Sequence, residues 1–262
     1  MKNPFKKKNE AQLVSNKKIN RRNFISFAGF IGLYAAGYAG WKWLYHADKE
    51  IPGVTARAKN PLRKALNQNE IAFKNIFSDK HLVKTYPKSM AAKRVRVNSD
   101  IGMKNRDFDT QNWALNIYRS NGSKFSVSLP ELMTLPKSEI IFDFKCVEGW
   151  DQISHWGGVN FRDFIAHYKL EEEAALAYAG FSTPDNGYYV GIDMASAMHP
   201  QTMLAYEVNE KFLPWQHGAP LRLIIPVKYG IKNLKRIGNI SFSNVRPPDF
   251  WAEQGYDYYS GL

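Results

Sequence analysis

From Phe24 to Trp41 the chain runs without a charge, Phe-Ile-Ser-Phe-Ala-Gly-Phe-Ile-Gly-Leu-Tyr-Ala-Ala-Gly-Tyr-Ala-Gly-Trp, and stops at Lys42. Counted from Asn23 the run is about 19 residues, and a bilayer core needs roughly 17 to 25. Tyr38, Trp41, Trp43 and Tyr45 cluster at its end as an interfacial aromatic belt. Further along, shorter patterns take over. Trp113-Ala114-Leu115-Asn116-Ile117-Tyr118 reads as a strand leading to a turn at Ser120-Asn121-Gly122-Ser123, and Phe125-Ser126-Val127-Ser128-Leu129 alternates with period two. Pro130-Glu131-Leu132-Met133 has proline in a first helical turn. Glu139 to Cys146 predicts a strand, and Val159 to His167 carries apolar residues at helical spacing. Tyr188 to Ile192 and Leu221 to Val227 predict two more strands, which makes the region α+β.

These patterns divide the chain into a basic segment 1–22, an apolar segment 23–45, a polar linker with a short helix over 46–80, and a domain over 81–262. The formal net charge is +12. Residues 1–22 hold eight lysines and arginines against Glu10, so most of the excess is local. The basic flank is expected to stay in the cytoplasm, with everything after Tyr45 outside. Basic and acidic residues mix in the later chain, and no recognition helix or aromatic RNA-binding box is visible. Nucleic acid is therefore not expected as a partner.

Arg21-Arg22-Asn23-Phe24-Ile25 resembles a twin-arginine export signal, although Asn20 and Ser26 depart from the commonest choices. An ordinary signal anchor with basic flanks is the competing reading. No clear small-x-small cleavage site follows, which favours an uncleaved anchor. The single cysteine, Cys146, lies behind this segment. An oxidising compartment punishes an idle thiol and one cysteine cannot form an internal disulfide, so Cys146 points to a metal or covalent partner. A buried structural cysteine is the plain alternative.

The segment from His217 to Lys235 combines a Gly-Ala-Pro turn, an arginine in a strand and a second glycine turn rich in lysine. Arg222, Lys232 and Lys235 offer charge for a phosphate or another anion, and Gly218 and Gly230 permit close backbone approach. A basic surface turn would have the same composition.

Three motifs in order, Cys-Val-Glu-Gly-Trp at a strand end, Trp-Gly-Gly-Val-x-Phe, and His-Gly-Ala-Pro-Leu-Arg-Leu-Ile-Ile-Pro-x-Lys-Tyr-Gly-Ile-Lys-Asn-Leu-Lys, resemble the sulfite oxidase superfamily of molybdopterin enzymes. The pattern is similar to its small periplasmic branch, which includes the methionine sulfoxide reductase catalytic subunit. The likeness covers roughly 93–243, and Phe250 to Tyr256 also suits the branch. It implies a sulfite oxidase-type α+β fold of mixed sheets with surrounding helices, preceded by the signal or transmembrane helix. It also implies molybdopterin with molybdenum as cofactor, and Cys146 as the thiolate ligand to the metal and the catalytic residue. By the same likeness Arg222 holds the cofactor phosphate, Asn233, Leu234 and Lys235 form the turn around it, His217 lies near the pterin, and Ser182 and Asn98 contact the cofactor. Ile101 and Gly102 stand where that subunit has tyrosine and glutamate, which leaves substrate specificity open.

The implied reaction is oxygen-atom transfer on a small-molecule or sulfoxide-type substrate, sulfite included. Trp150, Trp156 and Tyr188 are candidate walls of the substrate funnel. The sequence has no cysteine cluster for iron–sulfur centres, no Cys-x-x-Cys-His haem motif and no dinucleotide fingerprint. Electrons are thus expected from a separate integral membrane cytochrome or quinone-linked carrier. The expected location is the periplasmic side of the bacterial inner membrane, anchored by the amino-terminal helix, or the periplasm if that helix is cleaved. A cysteine-nucleophile hydrolase recruiting His155 or His217, and a non-catalytic membrane-tethered binding module, are the alternatives.

Overall fold

The computed structural model describes residues 4–48, 59–104 and 107–261, with side chains from residue 20 onward. It divides into two compact units, Met1–Asp48 and Lys49–Leu262.

The first unit is one helix, α1 (Pro4–His46), which runs through both the basic and the apolar segments without a break. Its stretch Asn20–His46 is long and apolar enough to cross a membrane. Phe24, Phe30, Leu33 and Tyr34 are each more than two-thirds exposed, so no protein core covers them. An apolar helix bare on all sides is a poor solution in water, where each such side chain forfeits about 1.5–3 kcal/mol of burial.

The second unit begins with α2 (Asn60–Ile76), started by proline in its first turn. Residues 49–58 lie outside the described residues. The helix belongs to the folded body, whereas the sequence sets a short helix after the linker and apart from the 81–262 domain. Arg63 and Glu70 are buried, and Phe73 stacks on Tyr259 at 5.1 Å. Two sheets follow. In the first, β1 (Ala114–Tyr118), β2 (Lys124–Ser128), β5 (Tyr178–Ser182), β6 (Tyr189–Asp193) and β10 (Asn239–Ser243) take the order β2-β1-β10-β5-β6. Only the β1–β10 pair is parallel. The second sheet has β3 (Lys137–Lys145), β4 (Asp151–Asn160), β7 (Met203–Val208) and β8 (Lys211–Phe212) in chain order, with β9 (Arg222–Ile224) also pairing β7.

Short helices fill the corners. α3 (Leu129–Leu132) starts on a capping box between Ser128 and Glu131. α4 (Phe161–His167) is capped by Asn160, whose side chain accepts from Arg162 N at 2.9 Å. α5 (Glu171–Ala174), α6 (Met194–Ala197) and α7 (Phe250–Glu253) complete the set. The larger core gathers Leu115, Ile117, Phe161, Phe164, Phe181 and Leu223. A smaller one, under the second sheet, holds Ile140, Phe142, Trp156 and Met203.

Two glycines set the geometry of the β3–β4 hairpin. Gly149 takes φ +83° in the turn that closes with Cys146 N donating to Trp150 O at 2.9 Å. That conformation costs a side-chain-bearing residue about 1–2 kcal/mol. At Gly158 a Cβ would come within 2.1 Å of Leu204 O, where the pairing of β4 with β7 shifts register. The Trp-Gly-Gly-Val motif is thus a close sheet contact with a bulge beside it.

Candidate active-site cleft

The hairpin turn hands Cys146 to a cleft instead of to the core. Residues from 95–101, the β3–β4 hairpin, Tyr188, Arg222, the segment 230–235 and the carboxy-terminal Trp251 and Tyr256 surround about 950 Å³ of empty space, open mouth included. Cys146 is 6% exposed and lies at its wall. Asn98 Nδ2 donates to Cys146 Sγ at 3.5 Å, the one side-chain hydrogen bond to this sulfur among the described residues.

Arg222 follows from β9, whose short pairing with β7 places its side chain under the hairpin. The guanidinium lies 4.4 Å above the Trp156 ring and donates to His217 O at 3.3 Å and Asn233 O at 3.2 Å. It is buried, its Nε finds no acceptor among the described residues, and no carboxylate pairs with it there. Burial pulls its pKa down to about 9. A guanidinium held this way has donor capacity and charge to give to an anion. Asn233 is fixed in turn, its Oδ1 accepting from Ile225 N at 2.8 Å and its Nδ2 donating to Tyr229 O at 3.1 Å.

Lys235 also lines the cleft, but its ammonium is already engaged. It donates to the carbonyls of Asn98 at 2.5 Å, Ser99 at 2.9 Å and Gln216 at 3.0 Å. Burial, then the charge of Arg222, lowers it to about 7. Its geometry pins the 98–99 segment against 216, and through that segment the Asn98 amide that meets the sulfur.

Not every expected residue reaches the cleft. Lys232, expected to offer charge to an anion, turns away: it donates to Gly191 O at 3.0 Å and pairs with buried Asp249. Ser182 lies on β5 in a separate groove with Tyr189, Pro247 and Glu253, bonded to Asn186 at 2.7 Å. Leu234 is fully buried in the larger core, and only its backbone contributes, accepting from Leu223 N at 2.8 Å. His217 packs edge-on to Trp156 at 5.9 Å, one layer behind the lining. Burial, then Arg222 and Lys235, lowers it to about 4. Neither histidine proposed for a hydrolase touches the thiol. His155 bonds instead to Glu139 at 3.1 Å.

Trp150, Trp156 and Tyr188 all face the cleft. The Tyr188 hydroxyl donates to Ile231 O at 2.5 Å, and burial raises its pKa far above the phenol range. The sequence reading missed Arg96, whose guanidinium lies 4.6 Å over the Trp150 ring at the mouth. No local signal marks it, because it is one of several basic residues in an irregular stretch.

Comparison with known proteins gives this arrangement its context. The family model described as the oxidoreductase molybdopterin binding domain matches residues 102–251. A putative protein-methionine-sulfoxide reductase subunit, YedZ1, of Azospira oryzae is 34% identical over 187 residues, covering 71% of this chain and 70% of that protein. The protein-methionine-sulfoxide reductase catalytic subunit MsrP of Campylobacter jejuni is 33% identical over 174 residues, covering 60% of this chain and 59% of that protein. Sulfane dehydrogenase SoxCD of Paracoccus pantotrophus superposes with a TM-score of 0.47 at 17% identity, over 52% of this chain and 39% of its own. With more than half its length inside that family model, the chain belongs to the oxidoreductase molybdopterin-binding domain family, an enzyme whose cofactor is molybdopterin with molybdenum.

Proposed function

We propose that this chain reduces a sulfoxide-type substrate at a molybdenum ligated by Cys146, with electrons from a separate membrane carrier. The observation that carries the reading is one cleft in which the only thiol of the chain and a buried guanidinium without a carboxylate partner among the described residues both meet the lining. The residues fit the group. A soft thiolate suits a redox metal, and Arg222 supplies charge for an anionic phosphate.

When bound, molybdopterin supplies a metal that exchanges two electrons and an oxygen atom. The protein's part is orientation and exclusion of water. Asn98 directs its amide at the sulfur and is held in place by Lys235. Arg222, oriented by the Asn233 carbonyl, would hold the anionic end, while Trp150, Trp156 and Tyr188 form an apolar wall for the organic part of a substrate. The overall change, sulfoxide plus two electrons and two protons giving sulfide and water, needs an external donor. A single cysteine leaves no iron–sulfur centre in the chain to hold those electrons.

The names of the YedZ1 and MsrP relatives favour the sulfoxide over sulfite. The helix Asn20–His46 serves as anchor on the periplasmic face, delivered by the twin-arginine route, and it raises the local concentration of the domain near its electron donor. The test is Cys146→Ser, purified with its fold verified. Expected are molybdenum and pterin in the parent protein, dye-driven sulfoxide reduction by the parent, and loss of turnover in the variant. Full turnover by a folded, metal-loaded Cys146→Ser protein would overturn the ligand assignment.

A further inference from the structure

The mouth of the cleft holds a cation to which the chemistry above gives no task. Arg96 is exposed, and its guanidinium lies 4.6 Å from the centre of the Trp150 ring. A guanidinium carries five N–H donors. Among the described residues none of those of Arg96 meets an acceptor, and no carboxylate pairs with it. Glu148, the one acid of the lining among the described residues, is engaged by the ring instead: Trp150 Nε1 donates to its Oε2 at 3.0 Å.

The place of Arg96 is fixed from the backbone. Its N donates to Gln152 Oε1 at 2.8 Å, and Gln152 Nε2 donates to Arg94 O at 3.4 Å, which ties the irregular 94–96 stretch to β4. Trp150 is held as well, stacked on Phe144 at 6.2 Å and joined through its carbonyl to Cys146 N. Guanidinium, indole and thiol-bearing residue thus follow one another by direct contact from the mouth inward. Of the three cations in the lining, Arg222 is buried and Lys235 has its ammonium on three carbonyls. Arg96 is the exposed one, on the side from which a substrate enters. A guanidinium resting on an aromatic ring keeps its N–H groups in one plane for a bidentate anion such as a carboxylate.

We propose that Arg96 is a specificity-determining residue whose guanidinium captures a carboxylate carried by the sulfoxide substrate a few bonds from sulfur, so that the sulfoxide end points inward to Cys146. The proposal rests on the sulfoxide reading given above. The carboxylate has two sources, the carboxyl group of a small amino-acid-like sulfoxide and an acidic side chain beside the sulfoxide in a polypeptide. Both offer the same pair of oxygens. Neutral sulfoxides forgo the contact and keep only the apolar wall.

The test uses the cofactor-loaded full chain with a reduced dye as electron donor. N-acetylmethionine sulfoxide is compared with its amide, and an end-blocked peptide with glutamate on both sides of a methionine sulfoxide is compared with its glutamine counterpart. We expect at least one acid to show a KM about fivefold below that of its neutral partner at similar kcat, the size of an exposed ion contact. The advantage should fade at high salt, vanish in Arg96→Gln and persist in part in Arg96→Lys, which keeps the charge. An advantage with the amino acid assigns the free carboxyl group, and one with the peptide assigns an acidic neighbour. Calorimetry with the corresponding sulfides, the products, repeats the comparison without turnover. Equal KM within both pairs, an advantage that survives Arg96→Gln, or one lost equally in Arg96→Lys overturns the role of Arg96 alone. A parent protein that reduces none of the four compounds overturns the sulfoxide reading and this proposal with it.

Discussion

Four cations lie within fourteen residues of one another, Arg222, Lys228 and Lys232 buried and Lys235 half-buried, and they divide into two pairs. Lys228 meets Asp193 at 2.7 Å beneath the Tyr259 ring, and Lys232 meets Asp249 beneath the Tyr258 ring. Arg222 and Lys235, interleaved with them in sequence, meet backbone carbonyls and no carboxylate among the described residues, and both border the cleft. The first pair closes the protein on itself. The second leaves net positive charge at the wall of a cavity, a cost of burial that an anionic ligand offsets. What separates a structural cation from a ligand-holding one here is its counter-charge, since Arg222 is as deeply buried as Lys228 and Lys232.

The largest expected effect comes from breaking a closed pair. Lys232→Met leaves Asp249 buried without its cation, and the fold should lose about 3–5 kcal/mol in urea or thermal unfolding. The molecules that remain folded should still hold pterin at the parent level. Arg222→Met should do the reverse. Loss of one charge-assisted contact to phosphate, about 1.5–3 kcal/mol, corresponds to roughly tenfold to hundredfold weaker cofactor retention. Pterin released by denaturation measures it, and parent-level content with a collapsed melting temperature would erase the distinction between the two pairs. The smallest effect concerns His217, which is held neutral by burial and by the open pair. Its folded pKa of about 4 lies below the ordinary 6.5, so the unfolded chain takes up the proton first. The stability it contributes is present above 6.5 and is lost as pH falls through 4. His217→Gln should flatten the acid limb of unfolding in that window, and an unchanged limb would show that the folded protein does not hold this ring neutral.

Strand alternation made β1, β2, β3 and β6 legible, and it put Cys146 at a strand end because Ile140 and Phe142 point to the core with period two. β4, β5, β7 and β10 were not read. β4 contains His155 and a Gly-Gly bulge that break the pattern, and Gly180 empties a central position of β5. The short helix expected within 46–80 is α2, and its place in the folded body was not legible because its inner face carries Arg63, Asn67 and Glu70, which bond to Arg246, Tyr178 and the carbonyls of the distant tail. Arg222 and Lys235 were named at the cleft, yet nothing in the sequence separates Lys232 from Lys235. Their opposite directions depend on a tight turn at 230–232 and on Asp249, which arrives from another part of the chain. Ser182 fails for a related reason, since a resemblance in order does not fix which face of β5 a side chain takes.

The grip of Arg63 on the carbonyls of Ala252 and Tyr256 also has a bearing on time. A ribosome delivers α2 well before the 252–256 segment, so the latch cannot close until that segment has been made. Trp251 and Tyr256 are missing from the wall until then. A nascent chain that has reached only Phe250 accordingly offers part of the cleft, and the full lining is an achievement of the long-range contact between α2 and the later 251–256 segment.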